Sequence, residues 1–217
     1  MLKYLSNYNN KHSISFYLRK KRFKLLFDLL KTKSGYKILD IGGFGNSFEI
    51  LDKGFCEKNK ITILNIENVE VSNKNIEFVL GDATDKGVFP ENSFDLVYCN
   101  SVIEHVGDSE ERKKLSENIR SWGHNYFVQT PNYYFPVEPH FLMPFFQYLP
   151  VKFRAYLLNK FNLGYFTKEK DYADALKTVS SVRLFKKKEL TGLFPEGKII
   201  KERFLFLTKS LIVHNID

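Results

Sequence analysis

Only two cysteines, Cys56 and Cys99, occur in the 217 residues, so no disulfide framework holds this chain together, and a reducing cytoplasm is the expected setting. Long apolar runs are also missing. The greasiest stretch, Phe141 to Val151, spans eleven residues and is cut by Pro144 and Pro150, too short and too broken to cross a bilayer. The first residues are polar, rich in Asn and Tyr, and form no apolar signal-peptide core. No phosphate-binding G-K-[ST] motif is present, and no His/Cys grouping has metal-ligand spacing, so no metal is expected. Internal repeats are absent as well.

What is there describes one folded unit of ordinary composition, 43% hydrophobic and 27% charged. The net charge of +8 admits an anionic acceptor, a peripheral membrane contact or nucleic acid. The lysines are scattered, however, and cluster only at 19–22 and 186–188, a pattern that suits a solvated surface. Aromatics are abundant, with 21 Phe and 12 Tyr.

The organising stretch is Lys37 to Gly45, KILDIGGFG. Its apolar residues end beside an acid, Asp40, and break at Gly42, Gly43 and Gly45. A buried strand that stops at glycines and hands over to a helix brings bare backbone close to a ligand. In an open α/β sheet that place lies beyond the strand's carboxyl end. The dinucleotide fingerprint needs glycines at 42, 44 and 47, but Phe44 and Ser47 occupy two of those positions. The ligand approached by this turn is therefore not expected to be a dinucleotide.

Along the chain, Ser13 to Leu30 shows helical spacing (Phe16, Phe23, Leu26, Phe27, Leu30) with a basic face expected to meet solvent. A short helix is expected over 47–53 and a loop over 52–60. Strands are expected at 37–41, 61–66, 76–80, 94–99 and 126–129, with a helix over 109–122 capped by Asp108 or Ser109. The stretch 130–180, rich in proline and aromatics at its start, is expected to be a lid, since connections of this length are usually functional. A helix at 186–194 and antiparallel strands at 198–206 and 210–214 complete the reading. The fold class is α/β: a Rossmann-like, seven-stranded, doubly wound sheet, mostly parallel with an antiparallel last strand. Its organisation is an N-terminal helical segment, 1–35, before a domain at 36–217 that carries the lid.

Acids recur at strand ends: Asp40, Glu67 and Asp82. A carboxylate after the second strand suits a ribose diol, because both oxygens accept hydroxyl hydrogens. Asp82 suits an exocyclic amine, with the backbone N–H of Ala83 beside it.

Taken together, ILDIGGFG, Glu67, the GDA at 81–83, FDLVYCNSVIEHVGD at 94–108 and YFVQTPN at 126–132 resemble the class I S-adenosylmethionine-dependent methyltransferases. The likeness is to small bacterial members with S-V-I-E-H-V and TPN-x-x-FPVEPH elements. It implies a cytoplasmic methyltransferase that uses S-adenosylmethionine and releases S-adenosylhomocysteine. It also implies that Gly42, Gly43 and Gly45 approach the methionyl part, with Asp40 supporting the turn. Glu67 would hold the ribose, Asp82 and Ala83 the adenine, and Asn100 and Ser101 the floor beneath the sulfonium. Phe44 and Asn46 stand where the family commonly has glycine.

Two histidines are candidate general bases, His105 after the fourth strand and His140 in the lid, where Glu138 can orient it. Tyr133, Tyr134 and Phe135 are candidate acceptor-binding residues. The acceptor is expected to be a small molecule or a saccharide- or lipid-linked intermediate. An RNA methyltransferase and a non-catalytic binding protein on the same fold are the alternatives.

Overall fold

A computed structural model describes residues 10–30, 34–44, 48 and 52–217. Helix α1 (Ile14–Leu29) starts at Ser13, whose hydroxyl accepts from the Phe16 N–H at 3.0 Å. Strand β1 (Lys37–Ile41) follows, then helix α2 (Lys53–Lys58) and strands β2 (Lys60–Asn65), β3 (Ile76–Leu80) and β4 (Phe94–Asn100). Helix α3 (Ser109–Trp122) opens with a capping box in which the Asp108 carboxylate accepts from helix N–H groups and Glu111 reaches back to the Asp108 N–H. Strand β5 (Gly123–Pro131) leads into a hairpin of β6 (Val137–Glu138) and β7 (Met143–Pro144). Helices α4 (Val151–Lys160), α5 (Tyr172–Ser180) and α6 (Lys187–Leu193) precede β8 (Lys198–Phe204) and β9 (Leu207–His214).

Seven strands form one sheet in the order β3-β2-β1-β4-β5-β9-β8. The first five run parallel, β9 is antiparallel to β5, and β8 is antiparallel to β9. The order reverses at β1, so the space beyond the carboxyl ends of β1 and β4 is the topological switch point.

Both faces of the sheet are covered, which is why its central strands read as continuous apolar runs. On one face Leu39, Ile41, Val97 and Cys99 pack with Leu115, Ile119 and Trp122 of α3 and Leu190 of α6. On the other, Ile38, Ile63, Leu96 and Phe127 pack with Phe23, Leu26 and Phe27 of α1. The N-terminal helix is thus part of the sheet's core. The segment after β5 that is expected to be a lid, termed the lid below, has a cluster of its own, built from Phe141, Phe146, Ala155, Leu158, Ala175 and Val179.

Two expectations are corrected. The region 52–60 contains a helix rather than a loop: Asp52 caps α2 by accepting from the Phe55 N–H, and Phe55 and Cys56 are buried in the α1-side core. The helix expected over 47–53 falls largely outside the described residues; within it Phe48 is helical, and its carbonyl accepts from the Asp52 N–H at 2.8 Å. The basic stretch of α1 does not simply face water, because Arg22 is buried against Glu202 of β8. Among the described residues, no helix is long and apolar enough to cross a membrane.

Candidate active site

The glycine turn is shaped by two unusual positions. Gly42 has φ +70° and donates its N–H to the Leu64 carbonyl at 2.8 Å, which ties the end of β1 to the end of β2. A Cβ on Gly42 would meet the Val102 side chain at 2.5 Å, and one on Gly43 would meet Asp40 Oδ2 at 2.0 Å. A side chain at Gly42 would also be strained by the left-handed backbone, and one at Gly43 would have to displace the Asp40 carboxylate. Gly45 lies outside the described residues. Asp40 itself is buried on the α1 face, and burial pushes its carboxyl up to about 7 against the pull of Arg19.

Beyond β4 the chain turns sharply. Ser101 is left-handed at φ +56°, donates its N–H to the Gln129 carbonyl at 2.9 Å, and donates its hydroxyl to Gln129 Oε1 at 2.9 Å. A non-glycine residue in that conformation is strained and is held there by its partners. The Asn100 side chain accepts from Arg22, which also makes a two-pronged pair with Glu202 at 3.0 and 2.6 Å. A charge buried this way needs its partner.

These residues line a cavity of about 510 Å³ at the switch point. Asp40, Gly42, Gly43, Asn100 and Ser101 form its sheet side, α1 contributes Leu18, Arg19 and Arg22, and the lid contributes Phe135, Val137, His140, Leu142 and Tyr165. A wider groove of about 840 Å³ lies beside α3 at Thr84, Asp85 and Lys114, and holds none of the glycine-turn or lid residues.

The lid histidine is tightly placed. Glu138 Oε1 pairs with His140 Nδ1 at 2.7 Å, and Glu138 Oε2 accepts from the His140 and Phe141 N–H groups at 2.8 and 2.6 Å. From the other side the chain at Gly164 (φ +54°) presses on this turn, so that a Cβ there would meet the His140 carbonyl at 2.5 Å. Although burial opposes its charge, the Glu138 hydrogen bond and charge hold the His140 pKa above its ordinary value. The His105 ring stands edge-on to His140, with centroids 4.7 Å apart and planes at 89°. Partial burial and that neighbour push His105 down to about 4. Glu104, 1% exposed, accepts from the Thr130 hydroxyl at 2.9 Å through Oε2.

The structure therefore brings together Asp40, Gly42, Gly43, Asn100, Ser101, Phe135 and His140 around one cavity, with Glu138 and His105 against His140. Glu67, Asp82 and Ala83 lie further along the carboxyl edge, outside the cavity wall. Glu67 is exposed beside Asn65, whose amide donates to the Gly43 carbonyl at 3.2 Å. Asp82 Oδ1 accepts from the N–H and hydroxyl of Thr84 at 2.8 and 2.9 Å, and the Ala83 carbonyl accepts from Asn118 at 2.9 Å. Tyr133 lines a separate hollow of about 170 Å³ near Arg183 and Lys186, and Tyr134 is 62% exposed, so only Phe135 of the aromatic trio reaches the main cavity.

Sequence reasoning missed Arg22, Glu104 and Gln129. Arg22 carried a signal, since it falls four residues after Leu18 and four before Leu26, in register with the buried stripe. Glu104 and Gln129 carried none, because nothing local marks a buried polar residue at a strand end.

The sheet order and the glycine turn at the switch point define the class I methyltransferase fold. A family model described as a methyltransferase domain matches residues 39–122, from β1 to the end of α3. Two uncharacterised proteins of Mycobacterium tuberculosis are each 36% identical over 56 residues, 26% of this chain and 19% of theirs; the chain thus matches about a fifth of their length. Among solved structures, the 1,6-didemethyltoxoflavin-N1-methyltransferase of Burkholderia thailandensis, bound to 1,6-didemethyltoxoflavin and S-adenosylhomocysteine, superposes with TM-score 0.56 at 11% identity over 91% of this chain and 76% of that one. The N-methyltransferase NodS of Bradyrhizobium japonicum with S-adenosylhomocysteine gives 0.53 at 11% identity over 90% and 85%. The magnesium protoporphyrin IX methyltransferase of Synechocystis with S-adenosylmethionine gives 0.55 at 11% over 96% and 83%. The chain has the class I methyltransferase fold and carries a methyltransferase-domain segment over 39–122.

Proposed function

We propose that the chain is an S-adenosylmethionine-dependent methyltransferase acting on a small-molecule or saccharide- or lipid-linked acceptor. One observation carries the reading. The glycine turn, Asp40 and the Asn100–Ser101 turn share a cavity at the switch point with the lid's His140.

The residues present fit the donor. Gly42 and Gly43 bring bare backbone to the cavity, and Glu67, an exposed carboxylate just beyond β2, would hold the ribose diol. Asn100 and Ser101 form the floor, and Asp82 and Ala83 close the adenine end. The donor supplies an electrophilic methyl on a sulfonium. The protein's share of the reaction is alignment, water exclusion and handling of the acceptor's proton. Phe135, Val137 and Leu142 give the lid side an apolar wall that displaces water. His140, fixed through Nδ1 by Glu138, keeps Nε2 as the ring nitrogen for an acceptor's proton.

Calorimetric titration of the purified chain tests this directly. Saturable binding of S-adenosylmethionine and S-adenosylhomocysteine is expected, with none of NAD. Glu67→Ala should weaken S-adenosylhomocysteine at least tenfold. NAD binding, or affinity unchanged in both Glu67→Ala and Asp82→Ala, would overturn the reading.

A further inference from the structure

We propose that Glu104, His105 and His140 form a binding site for one divalent first-row transition cation at the lid side of the cavity. One ligand atom from each residue lies within 4.8 Å of the other two. No sequence spacing announced the group, because His140 comes from the lid and the other two from the turn after β4.

Three features separate this cluster from a chance meeting of polar side chains. The first is an orphaned acceptor. Glu104 Oε2 is paired with Thr130, but Oε1 is buried and has no hydrogen-bond partner among the described residues. A buried carboxylate oxygen left unpaired is costly, and a cation would satisfy it. The second is the support behind His140. Its Nδ1 is held by the Glu138 carboxylate at 2.7 Å, the carboxylate–histidine pairing that orients metal-bound imidazoles and leaves Nε2 to ligate. The third is the donor set. Two imidazoles and one carboxylate suit zinc and its first-row neighbours, and three protein ligands leave coordination positions open.

The geometry needs little adjustment. Ligands at about 2.1 Å around a tetrahedral ion stand about 3.4 Å apart. No pair in the cluster then has to close by more than about 1.4 Å, since all lie within 4.8 Å. His105 is exposed overall with its ring edge-on to His140, and rotation about its side-chain bonds is the adjustment it would make.

The site deepens the methyltransferase reading and depends on it only for its role. His140 lines the main cavity, so the open positions adjoin the space assigned to the acceptor. That favours an acceptor bearing an oxygen that a hard or borderline cation can hold, such as a hydroxyl or a vicinal pair of oxygens. In the loaded protein His140 holds the cation rather than a proton.

Equilibrium dialysis of the chelator-treated full chain against Zn²⁺, with metal counted by mass spectrometry, should give about one equivalent. Co²⁺ should give a ligand-field spectrum in the visible. His140→Gln and Glu104→Gln should each weaken binding at least 100-fold, and Glu138→Gln by about 10- to 100-fold. His105→Gln, at an exposed residue, serves where a buried variant fails to fold, and should alter the Co²⁺ spectrum. Wild type that binds no more Zn²⁺ than a His105→Gln/His140→Gln double variant, or a Co²⁺ spectrum blind to His105→Gln, overturns the site. The assay contains no S-adenosyl compound. Loss of S-adenosylhomocysteine binding with Zn²⁺ binding intact would therefore count against the methyltransferase reading alone, and the reverse against the metal site alone.

Discussion

The Asp40 carboxylate occupies the space that a side chain on Gly43 would need: a Cβ built there would sit 2.0 Å from Oδ2 and 2.4 Å from Cγ. The acid at the end of β1 and the second glycine of the turn therefore form one packed unit. Gly43→Ala must push a buried carboxylate aside, which should cost about 1–3 kcal/mol of stability and at least tenfold in S-adenosylhomocysteine affinity. Gly192→Ala is the control. Nothing lies within 4 Å of a Cβ there, and its place in α6 predicts a gain of about 0.5–1 kcal/mol. Urea titrations of the two variants check the pair; a Gly43→Ala protein as stable and as tight-binding as wild type would show that the turn has slack.

Asp40 also sets a pH dependence. Its folded pKa of about 7 lies above the ordinary 3.8, chiefly through burial. Between those values the folded chain holds a proton that the unfolded chain has released. This contribution to stability is thus complete below about 3.8 and falls as pH rises to about 7. Each unit of the interval corresponds to about 1.4 kcal/mol. Asp40→Asn removes the titration without changing the shape. Its stability relative to wild type should therefore improve steadily from pH 4 to pH 7 and level off above, as read by urea midpoints. A difference that stays flat across that window would mean that Asp40 ionises as easily folded as unfolded.

How the sequence announced these features differs by element. The parallel strands and the antiparallel β9 could be read because apolar strands and glycine breaks leave local signals, and a proline-rich stretch marks where the run of strands is interrupted. Helix α2 was missed because six residues with a glycine at 54 show little periodicity; the burial of Phe55 and Cys56, a tertiary event, settles it. The same holds at the site. Asp40, Gly42 and Gly43 fall within four residues and carry the local signal of a strand breaking at glycines. The Arg22–Glu202 pair spans 180 positions and the Glu104–His140 neighbourhood 36, and no local pattern encodes either.

That distant pair supports its own prediction. Arg22 and Glu202 are almost fully buried and share two hydrogen bonds, and Arg22 reaches on to Asn100 at the cavity floor. Arg22→Met strands the Glu202 carboxylate and should cost about 3–5 kcal/mol, whereas Arg22→Met with Glu202→Leu should recover most of that loss. Despite its burial, the charge of Arg22 holds Glu202 below the ordinary carboxylate range. Its contribution is therefore present above about 4.5 and lost as pH falls through the lower folded value. The Arg22→Met penalty should accordingly shrink in acid. Equal stabilities of the single and double variants at pH 7 would show that the pair contributes little.

The lid can be separated from the sheet energetically. Its cluster of Phe141, Phe146, Ala155, Leu158, Ala175 and Val179 shares no buried member with the two clusters that cover the sheet. Phe146 is 0% exposed, and Phe146→Ala should cost about 3–5 kcal/mol where its ring is packed. Because the loss falls on a unit with its own core, amide exchange should quicken in α4 and α5 while β1, β4 and β5 keep their protection. The Glu138–His140 turn rides on the same cluster through Phe141, so the variant should also blur the placement of His140 and weaken lid-side ligands. S-adenosylhomocysteine, assigned mainly to the strand ends, should be held nearly as before. Uniform acceleration of exchange across lid and sheet would instead mean that the two cores unfold as one.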